Sequence, residues 1–312
     1  MTIISQTTSF NDNQNKSILD LNEDIFEIVF KYLRLVKICN LKRVNKYFFN
    51  LSHSCKFSLG NYKFYNTLEE WINLLNEKLK TFRSHLSLKS LELSICQSIL
   101  DFPSEILEIP NLKRFYLYRN KFNPEICQFT NLDKLTLSDN LLEKLPSEIG
   151  NMCNLTQLEI TRNQITCIPN EIGNLKSLKR LYLNNNMLVT LPPEIGNLKE
   201  LRELKLDHNQ ISYIPPEIGK LLDILLLFLN NNELSSVPKE ICQLSQLGLL
   251  RLDMNKLTSF PLELLNLNQL REMWLYDNQI QFPPQFICDR GLLNIKRYFN
   301  RVNSLKKILL KN

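Results

Sequence analysis

The sequence predicts an α/β solenoid: a curved parallel sheet of short repeated strands, with a small helical module before it and a capping helix after it. Three observations carry that prediction. LKRLYLNNN at 178–186 returns 23 residues later as LRELKLDHN at 201–209. Nine blocks follow the pattern L-x-x-L-x-L-x-x-N, beginning at Leu88, Leu112, Leu132, Leu155, Leu178, Leu201, Ile224, Leu247 and Leu270. The ninth position holds Cys96 in the first block and then Asn120, Asn140, Asn163, Asn186, Asn209, Asn232, Asn255 and Asn278; from Asn140 onward the interval is always 23. A fixed period of this length marks units that stack, because each has an apolar face it cannot bury alone.

Each part of the repeat has a physical role. The L-x-L core is a short strand whose leucines point inward while the residues between them point out. The asparagine ends the strand in a tight turn. Its amide donates to and accepts from buried backbone of neighbouring turns, so stacked copies form a ladder, and losing one leaves groups unpaired at a cost of about 1–3 kcal/mol. The returning half, L-P-x-E-I-G-N-L, holds too much proline and glycine for a long helix and predicts extended chain with short 3₁₀ turns on the outer side. Ile149, Ile172, Ile195 and Ile218 point in from there.

This is the leucine-rich-repeat pattern, and the repeats span 88–288. The L-P-x-E-I-G-N-L variant with its 23-residue period resembles intracellular signalling proteins of that family, including Ras-pathway scaffolds and plant Ras-group relatives.

Ahead of the repeats, residues 1–17 are polar and predict a disordered tail. Residues 18–57 read as a compact helical unit. Asp20 or Asn22 supplies a helix cap, Ile25, Ile28, Val29, Tyr32 and Leu33 recur at helical spacing, and Ile38, Leu41, Val44, Phe48 and Leu51 form a second stripe. Forty residues bury little core alone, so such a unit leans on a neighbour or a partner. The stretch LDLNEDIFEIVFKYLRLVKICNLKRVNKYFFNLS resembles an F-box, with Leu21, Ile25, Val29, Leu33, Ile38, Leu41, Val44 and Phe48 in its apolar slots; Asn22 stands where proline is usual and Asn45 where cysteine or serine is usual. The resemblance implies docking of those residues onto an Skp1-like adaptor of a cullin ubiquitin ligase. The plainer reading is a helical cap for the repeats. Residues 58–87 read as a linker helix: Thr67 with Glu70 fits a capping box, and Leu68, Trp71, Leu75, Leu79 and Phe82 share one face that closes the first repeat. Residues 289–312 predict the far cap, with Leu292, Ile295, Tyr298, Phe299, Val302 and Leu305 inward.

Composition narrows the function. The net charge of +6 comes from the tail, since residues 290–312 hold seven basic side chains and no acidic one while residues 1–289 balance at −1. The body is therefore not a nucleic-acid surface by charge. The basic terminal helix reads as a solvated face, with contact to acidic lipid the lesser alternative. The N-terminus lacks a secretory pattern and no apolar run reaches membrane-spanning length. None of the eight cysteines forms a C-x-x-C pair, and Cys127, Cys242 and Cys288 occupy the slot that glycine fills in other turns. Reduced thiols and an intracellular, cytoplasmic setting follow, with the nucleus the other option.

No catalytic constellation is visible. His53, His85 and His208 are far apart, the chain holds only seven glycines and no phosphate loop, and the glutamates 148, 171, 194, 217 and 240 recur as outer turn residues. No cofactor and no metal are expected. Function is expected instead on the inner sheet, at positions the repeat leaves free. The residue between the inward leucines reads Glu92, Tyr116, Thr136, Glu159, Tyr182, Lys205, Phe228, Arg251, Trp274 along the stack. From Tyr182 on, aromatic and basic residues alternate, and Leu226 and Leu249 lie outward beside them. Tyr182, Lys205, Leu226, Phe228, Leu249, Arg251 and Trp274 thus predict an exposed partner-binding patch, because aromatic and arginine anchors dominate protein interfaces. The expected protein is a non-enzymatic substrate receptor, a monomer within a ligase complex that holds a protein target on its inner face. The alternative is a signalling scaffold in which residues 18–57 only cap the solenoid.

Overall fold

The computed structural model describes Lys56–Leu59, Ser90–Ser94, residues 112–118 and residues 124–309. The polar tail, all eight adaptor-docking positions and the helical face at 68–82 lie outside the described residues.

Among the described residues one sheet of ten strands runs in strict sequence order, every pair parallel. Its strands are β1 (Lys56–Leu59), β2 (Ser90–Ser94), β3 (Arg114–Tyr118), β4 (Lys134–Thr136), β5 (Gln157–Glu159), β6 (Arg180–Tyr182), β7 (Glu203–Lys205), β8 (Leu226–Phe228), β9 (Leu249–Arg251) and β10 (Glu272–Trp274). The sheet is open and curved. Nine repeat blocks account for β2 to β10; β1 was not legible as a repeat and adds a strand before them.

From β4 on, register shifts by one repeat per strand, so equivalent residues sit side by side: Leu158, Leu181, Leu204, Leu227, Leu250 and Met273 pair in line. All six are buried. Alternation sends these side chains into the core and their strand neighbours to the other face.

The asparagine ladder closes each strand. Asn209 Nδ2 donates to Leu206 O at 2.9 Å and to Leu183 O of the previous repeat at 3.0 Å, while its Oδ1 accepts from Leu188 N at 3.0 Å. Asn163, Asn186, Asn232, Asn255 and Asn278 repeat this pattern. Each amide ties two consecutive repeats together. The residue just before each asparagine takes a left-handed backbone: Asp139, Arg162, Asn185, His208, Asn231, Met254 and Asp277 have φ of 51–58°.

On the return side, proline sets the entry to each 3₁₀ turn. Pro146, Pro169, Pro192, Pro215 and Pro238 hold φ between −66° and −74°, where the ring locks them. Turns follow at Ser147–Asn151, Asn170–Asn174, Pro193–Asn197, Pro216–Lys220 and Lys239–Gln243, each burying its isoleucine. Glycine follows isoleucine in four of them because the turns nearly touch: a Cβ on Gly173 would lie 2.7 Å from Glu194 O, and Gly150, Gly196 and Gly219 are as confined. Cys127 and Cys242 occupy the same slot with a side chain, and the carboxylate of the next turn, Glu148 or Glu263, lies close enough to act on each thiol.

Two helices, α1 (Gln285–Cys288) and α2 (Leu292–Leu309), end the stack. Leu292 and Ile295 are buried and Tyr298, Phe299 and Val302 are half-buried, as the pattern predicts. Leu305 departs from it: it is 60% exposed. Gln285 substitutes for a further ladder asparagine, accepting from Ile280 N at 2.9 Å and donating to Leu275 O at 2.9 Å.

Candidate functional site

Alternation places the free strand positions in one row on the face opposite the core. Tyr182, Lys205, Phe228, Arg251 and Trp274 are in register across β6 to β10, and Leu226 pairs with Leu249 beside them. The structure therefore brings all seven sequence-predicted residues together, with adjacent strands about 4.8 Å apart. Exposure is less than the pattern implies. Trp274 is 42% exposed, but Tyr182, Lys205, Leu226, Phe228, Leu249 and Arg251 are half-buried, because large side chains on adjacent strands cover one another. Thr136 keeps its place in the row beside Glu159 but is buried.

Lys205 Nζ sits between two aromatic faces, 4.7 Å from the Tyr182 ring centre and 5.4 Å from that of Phe228. Such contacts hold a cation without consuming its charge. Tyr182 donates from its hydroxyl to Glu203 Oε2 at 2.5 Å. Burial, then that bond to a carboxylate, pushes the phenol well above its ordinary range. Arg251 is anchored rather than free: Nε and Nη2 donate to Asp253 at 3.0 and 2.6 Å, and Nη2 also reaches Tyr276 Oη at 3.1 Å. Asp253 is fully buried, so this pair raises the guanidinium pKa and fixes the side chain against the sheet. Trp274 donates to Glu272 at 3.2 Å and meets Tyr276 edge-on, ring centres 6.0 Å apart.

Between these residues the face forms a hollow of about 400 Å³. Tyr182, Lys205, Phe228 and Arg251 border it, with Glu159, Arg162 and Asn230. Asn230 is buried and its Oδ1 has no hydrogen-bond partner.

Sequence reasoning missed Glu203, Asn230, Asp253 and Tyr276. The signal was present, since residues two places before and after the free position share its face. Asn184, Asp207, Asn230, Asp253 and Tyr276 form a second, mostly polar row that way.

The cysteines in the turns behave as packing residues. Burial first, then the nearby glutamate, raises the Cys127 thiol to about 12 and Cys242 to about 11; burial and Asp289 raise Cys288 to about 11. Among the described residues no three His, Cys, Asp or Glu side chains gather as metal ligands, and no helix is long and apolar enough to cross a membrane.

Stacked 23-residue units, an asparagine ladder and a face of unconstrained aromatic and charged side chains define a repeat solenoid of the kind that works by binding proteins. The chain belongs to the leucine-rich-repeat family: the leucine-rich repeat region matches residues 87–210 and 193–295. No curated relative matches the sequence. A leucine-rich-repeat protein of Leptospira interrogans is similar in structure, with 31% identity and a TM-score of 0.58; the match covers 76% of this chain and 63% of that protein. The chain thus spans less than two thirds of that relative's length. An internalin, InlF, of Listeria monocytogenes shares the fold at 21% identity and a TM-score of 0.56, over 67% of each chain. Members of this family are in general protein-interaction modules.

Proposed function

We propose that the protein is a substrate receptor whose inner sheet holds a protein target and whose residues 18–57 dock an Skp1-like adaptor of a cullin ubiquitin ligase. The observation that carries the binding half is the in-register row from Tyr182 to Trp274 with Leu226 and Leu249, large side chains that the repeat does not require there. Aromatic anchors beside an arginine are the usual energetic centre of a protein interface. The docking half rests on the order of Leu21, Ile25, Val29, Leu33, Ile38, Leu41, Val44 and Phe48 in the sequence. The chain contributes positioning rather than chemistry, in an intracellular setting where its thiols stay reduced.

Co-purification tests the docking half. The full chain retains an Skp1-type adaptor, and Leu21→Asp with Val29→Asp abolishes retention while the melt of the repeats stays in place. Equal retention by the variant, or none by the wild type, removes the adaptor from the account. A second reading has its own support: the 23-residue L-P-x-E-I-G-N-L repeat resembles intracellular signalling scaffolds, in which residues 18–57 only cap the solenoid. Target capture without adaptor capture selects that reading.

A further inference from the structure

Most of the charges around the inner hollow are paired. Lys134 pairs with Glu159 at 3.7 Å, Arg180 with Glu203 at 3.2 Å, Arg162 with Asp139 at 3.1 Å and Arg251 with Asp253 at 2.6 Å. Asp207 engages His208 Nδ1 at 3.0 Å. Glu159 and Asp253 are thereby ion-paired, and Asp207 is engaged by an imidazole. Lys205 has no carboxylate within 4.0 Å among the described residues and rests instead between the rings of Tyr182 and Phe228. An ammonium held between aromatic faces is steered and partly dehydrated but not neutralised, which raises its attraction for an incoming anion. One strand away, the buried Asn230 borders the same hollow, and its Oδ1, shielded from solvent, has no hydrogen-bond partner. A buried acceptor without a donor is costly unless a ligand supplies one.

The cation and the acceptor together specify complementary chemistry: a carboxylate for Lys205 and an N–H for Asn230. The surroundings specify the rest. On one side of the hollow, Leu226, Leu249 and Trp274 offer an apolar shelf; on the other the sheet continues through β6 and β5. A segment that enters the hollow therefore has a surface to follow in both directions.

Resting on the inner face being the partner-binding surface, we propose that this hollow is an anchor subsite for an extended protein segment bearing an Asp or Glu side chain next to an apolar one. The side-chain carboxylate pairs with Lys205, the apolar neighbour lies on Leu226, Leu249 and Trp274, and the Asn230 amide turns outward so that its Oδ1 accepts from a backbone N–H of the segment. A volume of about 400 Å³ matches a side chain with its flanking backbone, not a whole domain.

Fluorescent nonapeptide pools test this on the immobilised full chain. Each pool is acetylated and amidated, fixes leucine on both sides of the central residue, randomises the rest, and places Asp/Glu, Asn/Gln or Lys at the centre. A fourth pool has Asn/Gln at the centre and a free C-terminal carboxylate. The acidic-centred pool is retained at least about tenfold better than its amide isostere, a difference near 1.4 kcal/mol. Lys205→Met removes that preference, Lys205→Arg restores most of it, and Asn230→Ala lowers retention of the acidic-centred pool. Equal retention of the acidic and amide pools, a preference that survives Lys205→Met, or no retention of the acidic pool at about 1 mM overturns the proposal. Stronger retention of the C-terminal carboxylate pool also overturns it. Failure of the broader reading looks different: Phe228→Ala with Trp274→Ala leaves both the acidic pool and the native target bound.

Discussion

The two faces of the solenoid treat sequence in opposite ways. On the outer side, the turns at Ser147–Asn151, Asn170–Asn174, Pro193–Asn197 and Pro216–Lys220 repeat almost the same five residues. On the inner side, the central strand position runs Glu159, Tyr182, Lys205, Phe228, Arg251, Trp274, with no residue used twice. Each outer turn is confined by the next, so proline, isoleucine and a small residue, most often glycine, recur there. Each inner side chain faces open space on one side, so the backbone is indifferent to it. Repetition therefore marks support, and departure from repetition marks the surface available for recognition.

The comparison is open to attack at several points. Leu204→Ala, in the centre of the buried leucine row, lowers stability by about 2–5 kcal/mol; denaturant unfolding measures it. Asn209→Leu strands Leu188 N and takes one of two amide donors from Leu183 O and from Leu206 O, which keep Asn186 and Asn232, and costs about 1–3 kcal/mol. Gly173→Ala drives a methyl against Glu194 and costs about 1–3 kcal/mol through overpacking, whereas Cys242→Ala, in the equivalent slot, changes stability by less than about 1 kcal/mol. Equal effects of those two substitutions contradict the account of the glycines. Phe228→Ala with Trp274→Ala leaves the melt almost unmoved and abolishes target capture; a large melt shift makes these residues core and ends their functional reading.

The smallest effect concerns the thiols. Cys127 and Cys288 are buried with raised pKa values, while Cys153 and Cys167 are exposed. Iodoacetamide at pH 8 labels Cys153 and Cys167 fast and Cys127 and Cys288 slowly, as peptide mass spectrometry reads. For Cys127 the folded thiol sits above the unfolded value of 9.0, so folding retains a proton that the unfolded chain gives up. Its contribution to stability is whole below pH 9 and is lost as pH rises from there to about 12.

The repeat made most of the fold legible. Period, leucine alternation and in-phase asparagines place β2 to β10, the ladder and the outer turns, because each follows from local geometry repeated at a fixed interval. Lys56–Leu59 was not legible: it joins the sheet by pairing with Ser90–Ser94, 34 residues away in sequence, at an interval no repeat announces. The site was half legible. Alternation gives the row from Tyr182 to Trp274, but not that Arg251 is held by a buried Asp253 or that Lys205 stands between two rings. Those facts depend on rotamers, chosen against a residue two places away for Arg251 and against residues 23 places away for Lys205, about which a linear pattern is silent.

The left-handed residue before each ladder asparagine shows what the molecule does with its margins. At Asp139, Arg162, Asn185, His208, Asn231, Met254 and Asp277 the backbone alone is prescribed. Glycine adopts that conformation freely, while other residues incur roughly 1–2 kcal/mol there. A scaffold selected only for endurance would place glycine at all seven. This one retains five kinds of side chain, two of which, Arg162 and His208, border the hollow. The rim is thus a row of interchangeable teeth on a fixed pitch, where one tooth is exchangeable without altering the length of the rack.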